Sequence, residues 1–378
     1  MPLLPDFQLE TYFSRWEFSA RHHLTASDAQ SMTLRELLAM ADPAEAEAFD
    51  NLWLGYTETF GAPDLRETIA STYEAQGPQN ILCFAGAEEG LYIAAHALME
   101  PGDHAIVVIP NYQAAESVPL SIGSATGIPL HPEHDWDLDL DQVAAAVRPN
   151  TRLVSINFPH NPTGKIITSR VLDGLIAICR RHGLWLFSDE VYRPLGPHPE
   201  RHLPQVADLY ERGLSLNVMS KAYGLPGLRI GWIACADRDL LVRMERMKHY
   251  LSICNSGPGE RLALIGLNHR DRILGRNNAL VRDNLGLLDQ FFAEFPALFE
   301  WRRPDGGCVG YPRYVGPGTV DDFASELVEQ AGVLVVPSRI YRSQLGPTPT
   351  DRFRIGFGRA GLAEGLAAFR GHLRRNAA

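Results

Sequence analysis

The stretch Ser220-Lys221-Ala222-Tyr223-Gly224-Leu225-Pro226-Gly227-Leu228-Arg229-Ile230-Gly231-Trp232 follows one apolar run, LSLNVM (214–219), and merges into another, RIGWIAC (229–235). Both runs read as buried strands, because they are too continuous to be half-exposed ones. Between them stands a lysine among apolar residues and glycines. Lysine is scarce here: of 35 basic residues, only Lys165, Lys221 and Lys248 are lysines. Burial disfavours an ammonium and lowers its pKa. An amine tuned in this way can form a Schiff base with an aldehyde. Arg229, eight residues on, offers a planar fork for a phosphate.

Working outward, the pattern recurs. ILCF (81–84), AIVVI (105–109), RLVSINF (152–158) and LWLFSDE (184–190) are further apolar runs, and helical patterns cover 88–99, 139–147, 168–182 and 201–212. Thr168 or Ser169 can cap the helix near 168. Continuous runs separated by helices predict an α/β chain with a mainly parallel sheet covered on both faces. In such a sheet, ligands bind beyond the carboxyl ends of strands. Two more polar clusters stand at strand ends: His160-Asn161-Pro162-Thr163-Gly164 and Ser188-Asp189-Glu190-Val191-Tyr192. Asp189 is an acid in need of a cationic partner, and Tyr192 offers a phenol. A lysine, an acid and an arginine match the needs of pyridoxal phosphate (PLP). The amine holds its aldehyde, the acid keeps the pyridine nitrogen protonated, and the guanidinium holds its phosphate.

Past residue 260 the pattern changes to a long helical stretch (260–295), short strands in WRRPDGGCVGYPRY (301–314), GVLVVP (332–337) and RFRIGFG (352–358), and a last helix. With 378 residues, 45% hydrophobic and 21% charged, the chain is neither disordered nor a coiled coil. A net charge of −10 argues against a broad nucleic-acid footprint. Cys83, Cys179, Cys235, Cys254 and Cys308 form no CxxC, hence no zinc ribbon or disulfide framework. No apolar run approaches the ~18 residues of a membrane span, and MPLLPDFQLE reads as no signal peptide. The expectation is a reduced, cytoplasmic protein with no metal, membrane or nucleic-acid partner.

The motifs SKAYGLPGLRIGW (220–232), HNPTG (160–164) and SDEVY (188–192) together resemble the class I/II aminotransferases, the large fold-type-I family of PLP enzymes. The likeness covers nearly the whole chain after residue 50. It implies a fold-type-I PLP-dependent transferase: a large seven-stranded domain (41–279), a small α+β domain (280–378), and residues 1–40 as an arm and part of the small domain. It implies Lys221 as the Schiff-base lysine and Asp189 beside the pyridine nitrogen. Tyr192 and Asn161 would bond the ring 3-oxygen, and Arg229 would bind phosphate with Ser220 nearby. Gly86-Ala87-Glu88-Glu89-Gly90 matches the family's glycine-containing turn. Free N–H groups at a helix start attract phosphate in any case, so the amides of Ala87 and Glu88 are candidates, with the Glu88 carboxylate turned away. Pro110-Asn111-Tyr112 would place Tyr112 on the ring face. Tyr56, in YTETFGAPDLR (56–66), matches a segment that reaches the neighbouring subunit's phosphate, which implies a homodimer with shared sites. Arg354 matches the arginine for the substrate α-carboxylate, with Asn161 also on the substrate. Two positions depart from the family pattern: Val218 replaces a serine or threonine, and Ser338 replaces a glycine.

Plainer readings stand beside these. Lys165 and Lys248 read as solvated surface charges. Tyr112 could simply pack, Tyr56 could be a core or interface residue, and Arg352 shares a strand face with Arg354. GFGRAG (356–361) is a GxGxxG, but a dinucleotide fold needs another strand and an acid ~20 residues later, and 17 residues remain after Gly361. Gly306-Gly307-Cys308-Val309-Gly310 leads into Tyr311-Pro312 and not into the helix a nucleophile elbow requires. His131 and His134 have no further ligands at metal spacing.

The expected activity moves an amino group from an L-amino acid to a 2-oxo acid, with Lys221 carrying the Cα proton. The arm WEFSARHHLTASD (16–28) is similar to that of PLP enzymes acting on arginine-like substrates. There Glu17 and Asp28 could pair with a guanidinium, or could be solvated or capping residues. The same fold could instead perform elimination, cyclisation or oxidation. A non-catalytic PLP-fold regulator is a further alternative, although no added DNA-binding module is read at the N-terminus.

Overall fold

The apolar runs come together in one sheet. The computed structural model describes residues 4–198 and 201–376. In it, strands β1 (Ile81–Phe84), β2 (His104–Ile109), β3 (Ser124–Pro129), β4 (Thr151–Asn157), β5 (Trp185–Asp189), β6 (Gly213–Val218) and β7 (Gly231–Cys235) lie in the order β1-β7-β6-β5-β4-β2-β3. Only β7 runs antiparallel to its neighbours. The six apolar runs all form strands. The seventh strand, β3, has no such run: SATGIP is an edge strand paired with β2 alone and mostly half-buried, so it tolerates Gly127 and Pro129.

Strand register aligns the ends of the central strands. Asp189 pairs with Asn157 on one side and Leu216 on the other. Their strands end together, so the loops after them share one edge of the sheet. The helices include α1 (Gln8–Trp16), α2 (Ala87–Leu98), α3 (Ser169–His182), α4 (Arg238–Lys248), α5 (Gly257–Asn268), α6 (Arg270–Glu294), α7 (Val320–Ala331) and α8 (Leu362–Asn376). Thr168 caps α3 by accepting from the Val171 N–H, and Gly183 ends it at a φ of 65°. The helix expected over 201–212 shrinks to Val206–Leu209. Asp208 in that turn accepts from the Glu74 and Ala75 N–H groups. The stretch 260–295 forms two helices, α5 and α6, which meet at His269. Glu45 holds the joint, taking Asn268 Nδ2 at 2.7 Å and His269 Nε2 at 3.1 Å. The domain boundary expected at 279/280 falls inside α6. Around α6, α7 and α8 the buried rings of Phe291, Phe299, Phe323, Phe353 and Phe369 pack together. Each fully buried ring contributes about 1.5–3 kcal/mol.

Two expectations are corrected here. Lys248 is fully buried, and its Nζ donates to the Thr59 carbonyl at 2.7 Å. Lys165 is 7% exposed and lies between Asp135 and Asp137, at 2.9 and 2.7 Å. Their apolar stems pack inside while the ammonium meets oxygen. No helix among the described residues is long and apolar enough to cross a membrane.

Candidate active site

At the shared strand edge lies a cavity of about 470 Å³. Its wall includes Lys221, Asp189, Tyr192, Asn161, Tyr112, Ala87, Glu88, Ser220, Arg229 and Val218. Residues far apart in sequence meet there because their loops leave neighbouring strands.

Asp189 closes β5. Its carbonyl accepts from Asn157 Nδ2 at 2.9 Å, and its Oδ1 accepts from the Val191 N–H at 3.2 Å. Desolvation pushes its carboxyl up to about 6, against the opposing pull of the Val191 N–H and Lys221. Asn157 Oδ1 also accepts from the Asn161 N–H at 2.9 Å. One side chain therefore fixes both Asp189 and Asn161. Sequence reading missed Asn157, although it stands at the end of an apolar run, three residues before HNPTG. His160, fully enclosed, bridges the Pro110 carbonyl and Thr163 Oγ1, both at 2.8 Å, and so joins the Tyr112 loop to the HNPTG loop.

Lys221 follows β6. Its Nζ donates to Ser27 Oγ at 3.1 Å. Burial holds the ammonium below the ordinary lysine range, with Asp28 the strongest opposing influence.

The other end of the cavity suits an anion. Gly86 has a φ of 102°, and a Cβ there would lie 2.3 Å from Arg229 Nη2, so the position demands glycine. Helix α2 begins at Ala87 with no side-chain cap, leaving first-turn N–H groups available. Arg229 donates to the Pro226 carbonyl at 3.1 Å, Ser220 Oγ at 3.4 Å and the Ala85 carbonyl at 3.5 Å. Glu89, also missed, takes the Ala85 N–H at 2.6 Å and the Ser252 N–H at 3.2 Å, strapping the turn in place. The Glu88 carboxyl, expected to turn away, instead lines the cavity beside Tyr112. Desolvation, with smaller contributions from Asp189 and Glu10, raises it to about 7, which weakens its repulsion of an anion.

On the substrate side the placements differ. Arg354 is fully buried behind Asn161 and is not on the cavity wall. Its Nη1 donates to Asn161 Oδ1 at 3.2 Å and Tyr341 Oη at 2.7 Å, and its Nη2 donates to the Thr25 carbonyl at 2.8 Å. Its Nε has no partner. Asp28 is already matched: Arg359 grips both its oxygens, at 3.0 and 2.8 Å. Asp28 lines the cavity as well, but a guanidinium of the chain itself, that of Arg359, already takes the place expected for a substrate's. Glu17 does line the cavity, together with Glu10 and Phe13 from α1. Residues 10 and 17 share a helix face, and that spacing was the overlooked signal for Glu10. Desolvation, then Glu10, raises the Glu17 carboxyl. Tyr56 lies outside the cavity, 84% exposed.

Residues 25–368 match the family described as aminotransferase class I and II. The chain is 31% identical over 370 residues to capreomycidine synthase of Streptomyces vinaceus, covering 97% of this chain and 93% of that protein. It is 29% identical over 328 residues to arginine–pyruvate transaminase of Pseudomonas aeruginosa, covering 83% and 81%. Among solved structures it is similar to a PLP-dependent aminotransferase from Streptococcus suis, with a TM-score of 0.92, 30% identity and 99% of both chains covered. It is also similar to the PLP-dependent cyclase OrfR, with a TM-score of 0.89, 26% identity and coverage of 100% and 99%. With its sheet, its lysine and this match in agreement, the chain belongs to the class I and II aminotransferases, PLP-dependent enzymes of fold type I.

Proposed function

We propose that this enzyme holds PLP at Lys221 and takes the amino group of a guanidino L-amino acid, passing it to a 2-oxo acid. One observation carries the substrate class: α1 turns Glu10 and Glu17 into the cavity that holds Lys221 and Asp189. The relatives named for arginine and capreomycidine support it.

The cavity fits the cofactor. Among the described residues, Lys221, Asp189 and Arg229 have no opposite charge within ion-pair distance. They match an aldehyde, a pyridine nitrogen and a phosphate. Bound PLP supplies the aldehyde and an electron-accepting ring. The chain supplies the rest. The Lys221 amine, kept more neutral by burial, takes the Cα proton at Nζ. The Asp189 carboxylate would hold the ring N–H, and Tyr192 and Asn161 would donate to the ring oxygen. Arg354, which bonds Asn161 from behind the wall, is assigned to the α-carboxylate once substrate displaces that contact. Glu10 and Glu17 hold the guanidinium, and α1 keeps water from the reacting carbon.

A second copy of the chain belongs to this reading. Trp53, Leu54 and Tyr56 are exposed on one segment, and Tyr250, Leu251 and Ile253 on another. Thr57 Oγ1 donating to the Asn255 carbonyl at 3.0 Å joins the two. A homodimer covers these residues and carries Tyr56 toward the neighbouring phosphate site.

A second reading, elimination followed by ring closure, is favoured by the nearly full-length similarity to capreomycidine synthase and OrfR. Borohydride trapping with peptide mapping is expected to label Lys221, and an unlabelled Lys221 overturns the whole reading. L-Arginine with pyruvate is expected to yield alanine stoichiometrically, at a kcat/KM about tenfold or more above L-leucine. Equal use of leucine overturns the guanidino assignment. Consumption of a β-hydroxylated arginine without any acceptor replaces transfer by elimination.

A further inference from the structure

Ser27 lies on the arm, within the stretch 16–28, next to Asp28. Its neighbours are clamped on both sides. The Ala29 N–H donates to the Lys221 carbonyl at 3.0 Å, the Gln30 N–H to the Gly358 carbonyl at 2.8 Å, and the Gly356 N–H to the Leu24 carbonyl at 2.9 Å. The clamp requires the glycines of GFGRAG. A Cβ on Gly356 would come within 1.9 Å of the Ala26 carbonyl oxygen, and one on Gly358 within 2.2 Å of that of Asp28. The pattern that mimics a dinucleotide fingerprint thus serves close backbone approach.

This seating brings Ser27 Oγ to 3.1 Å from Lys221 Nζ. The same hydroxyl faces the Tyr192 phenol. The charged and titratable groups around Nζ are Asp28 on the arm, Asp189 on β5, Glu88 on α2, Cys308, and Arg354 on its strand. Among the described residues none of these hydrogen-bonds it; the neutral hydroxyl does. Asp28 stands next to Ser27 in sequence, yet Arg359 occupies both its oxygens. That matters chemically. A carboxylate on Nζ would favour the ammonium and keep the base protonated. A hydroxyl holds the amine in place and favours its charged form far less than a carboxylate would.

We propose that Ser27 is a positioning residue, whose hydroxyl takes one N–H of free Lys221 and fixes the amine where it removes and returns the Cα proton. The proposal rests on Lys221 being the PLP lysine. A lysine stem carries about 2 kcal/mol of rotamer entropy, so an unanchored amine samples the cavity instead of waiting at the reacting carbon.

The test uses Ser27→Ala and Ser27→Thr in the PLP-loaded enzyme, following exchange of the L-arginine Cα proton in D₂O by NMR. Ser27→Ala is expected to slow exchange about 10- to 100-fold with KM within about twofold, and Ser27→Thr to recover most of the rate. A second readout needs no turnover. In the full-length, cofactor-free chain labelled with ¹⁵N-lysine, the three lysines give three Nζ signals. Ser27→Ala is expected to lower the Lys221 titration midpoint, because the acceptor that favours its charged form is gone, and to leave Lys165 and Lys248 unmoved. An unmoved Lys221 midpoint together with unchanged exchange overturns the proposal, as does a change in KM alone. If borohydride labels Lys221 and Ser27→Ala is silent, the Ser27 assignment fails by itself. If Lys221 is unlabelled, the PLP reading fails first.

Discussion

A carboxyl at the end of a buried strand does two things at once in this protein. Without a cation beside it, the Asp189 carboxyl sits at about 6, well above the ordinary value of 3.8. The folded chain therefore binds this proton more tightly than the unfolded one, and Asp189 costs stability as pH rises from 3.8 through 6. A ring N–H reverses the preference by favouring the carboxylate. PLP affinity is thus expected to be highest above pH 6 and to weaken by up to about tenfold per unit as pH falls below it. Cofactor titrations between about pH 5 and 8 on wild type and Asp189→Asn check this. The variant should bind more weakly throughout and lack the Asp189 step, while the phosphate's own titration is common to both. Identical profiles would remove Asp189 from the cofactor. Other residues in the site act by shape alone. Gly86 makes room for Arg229, and no side chain can replace it at a φ of 102°.

At the scale of elements, the site is a meeting of strand ends with an arm. The strand Phe353–Gly356 pairs with Val309–Gly310 and Val336–Pro337. Its glycine-bearing end lets residues 24–30 pass at backbone distance. Gly358→Ala sets a methyl against a backbone oxygen, which cannot rotate away as a side chain would. The arm must move, taking Ser27 from Lys221 and Asp28 from Arg359. We expect a folded protein less stable by about 1–3 kcal/mol and Cα-proton exchange slowed at least as much as in Ser27→Ala. Urea melts and the exchange assay together measure this, and wild-type exchange in Gly358→Ala would show that the clamp does not seat Ser27. Helix α1 acts at the same scale. Its start is tied to the Tyr112 loop by the Gln8 N–H donating to Gln113 Oε1 at 2.8 Å, and Tyr12 Oη donates to the Val335 carbonyl at 2.9 Å. Glu10 and Glu17 therefore reach the cavity from a helix held on two sides.

Across the whole molecule, buried polar groups join segments that the sheet alone leaves apart. Lys248 bonds the Thr59 carbonyl. Glu260 takes the Ala62 N–H and Asn255 Nδ2, at 3.2 and 2.8 Å. Glu89 links the turn at Ala85 to Ser252. Together they tie 57–62, 85–89 and 252–260 beneath the exposed ridge of Trp53, Tyr56 and Tyr250. Lys248→Met keeps the volume but leaves the Thr59 oxygen unpaired and removes the cation facing Glu89 and Glu260. A loss of about 1–3 kcal/mol is expected in urea unfolding, and an unchanged midpoint would deny the network its role.

Six of the seven sheet strands, and the group Lys221, Asp189, Tyr192, Asn161 and Arg229, could be read from residue order. Continuous burial leaves an unbroken apolar run, and each of these residues stands just past such a run or, for Asp189 and Arg229, at the end or the start of one. That information is local, and the sheet's order adds only the neighbourhood. Chain order could not show that Ser27 meets Lys221 from 194 residues away, that Arg359 claims Asp28, or that Lys248 is inside. Burial and pairing depend on what packs over a side chain. Only folding brings those surfaces together.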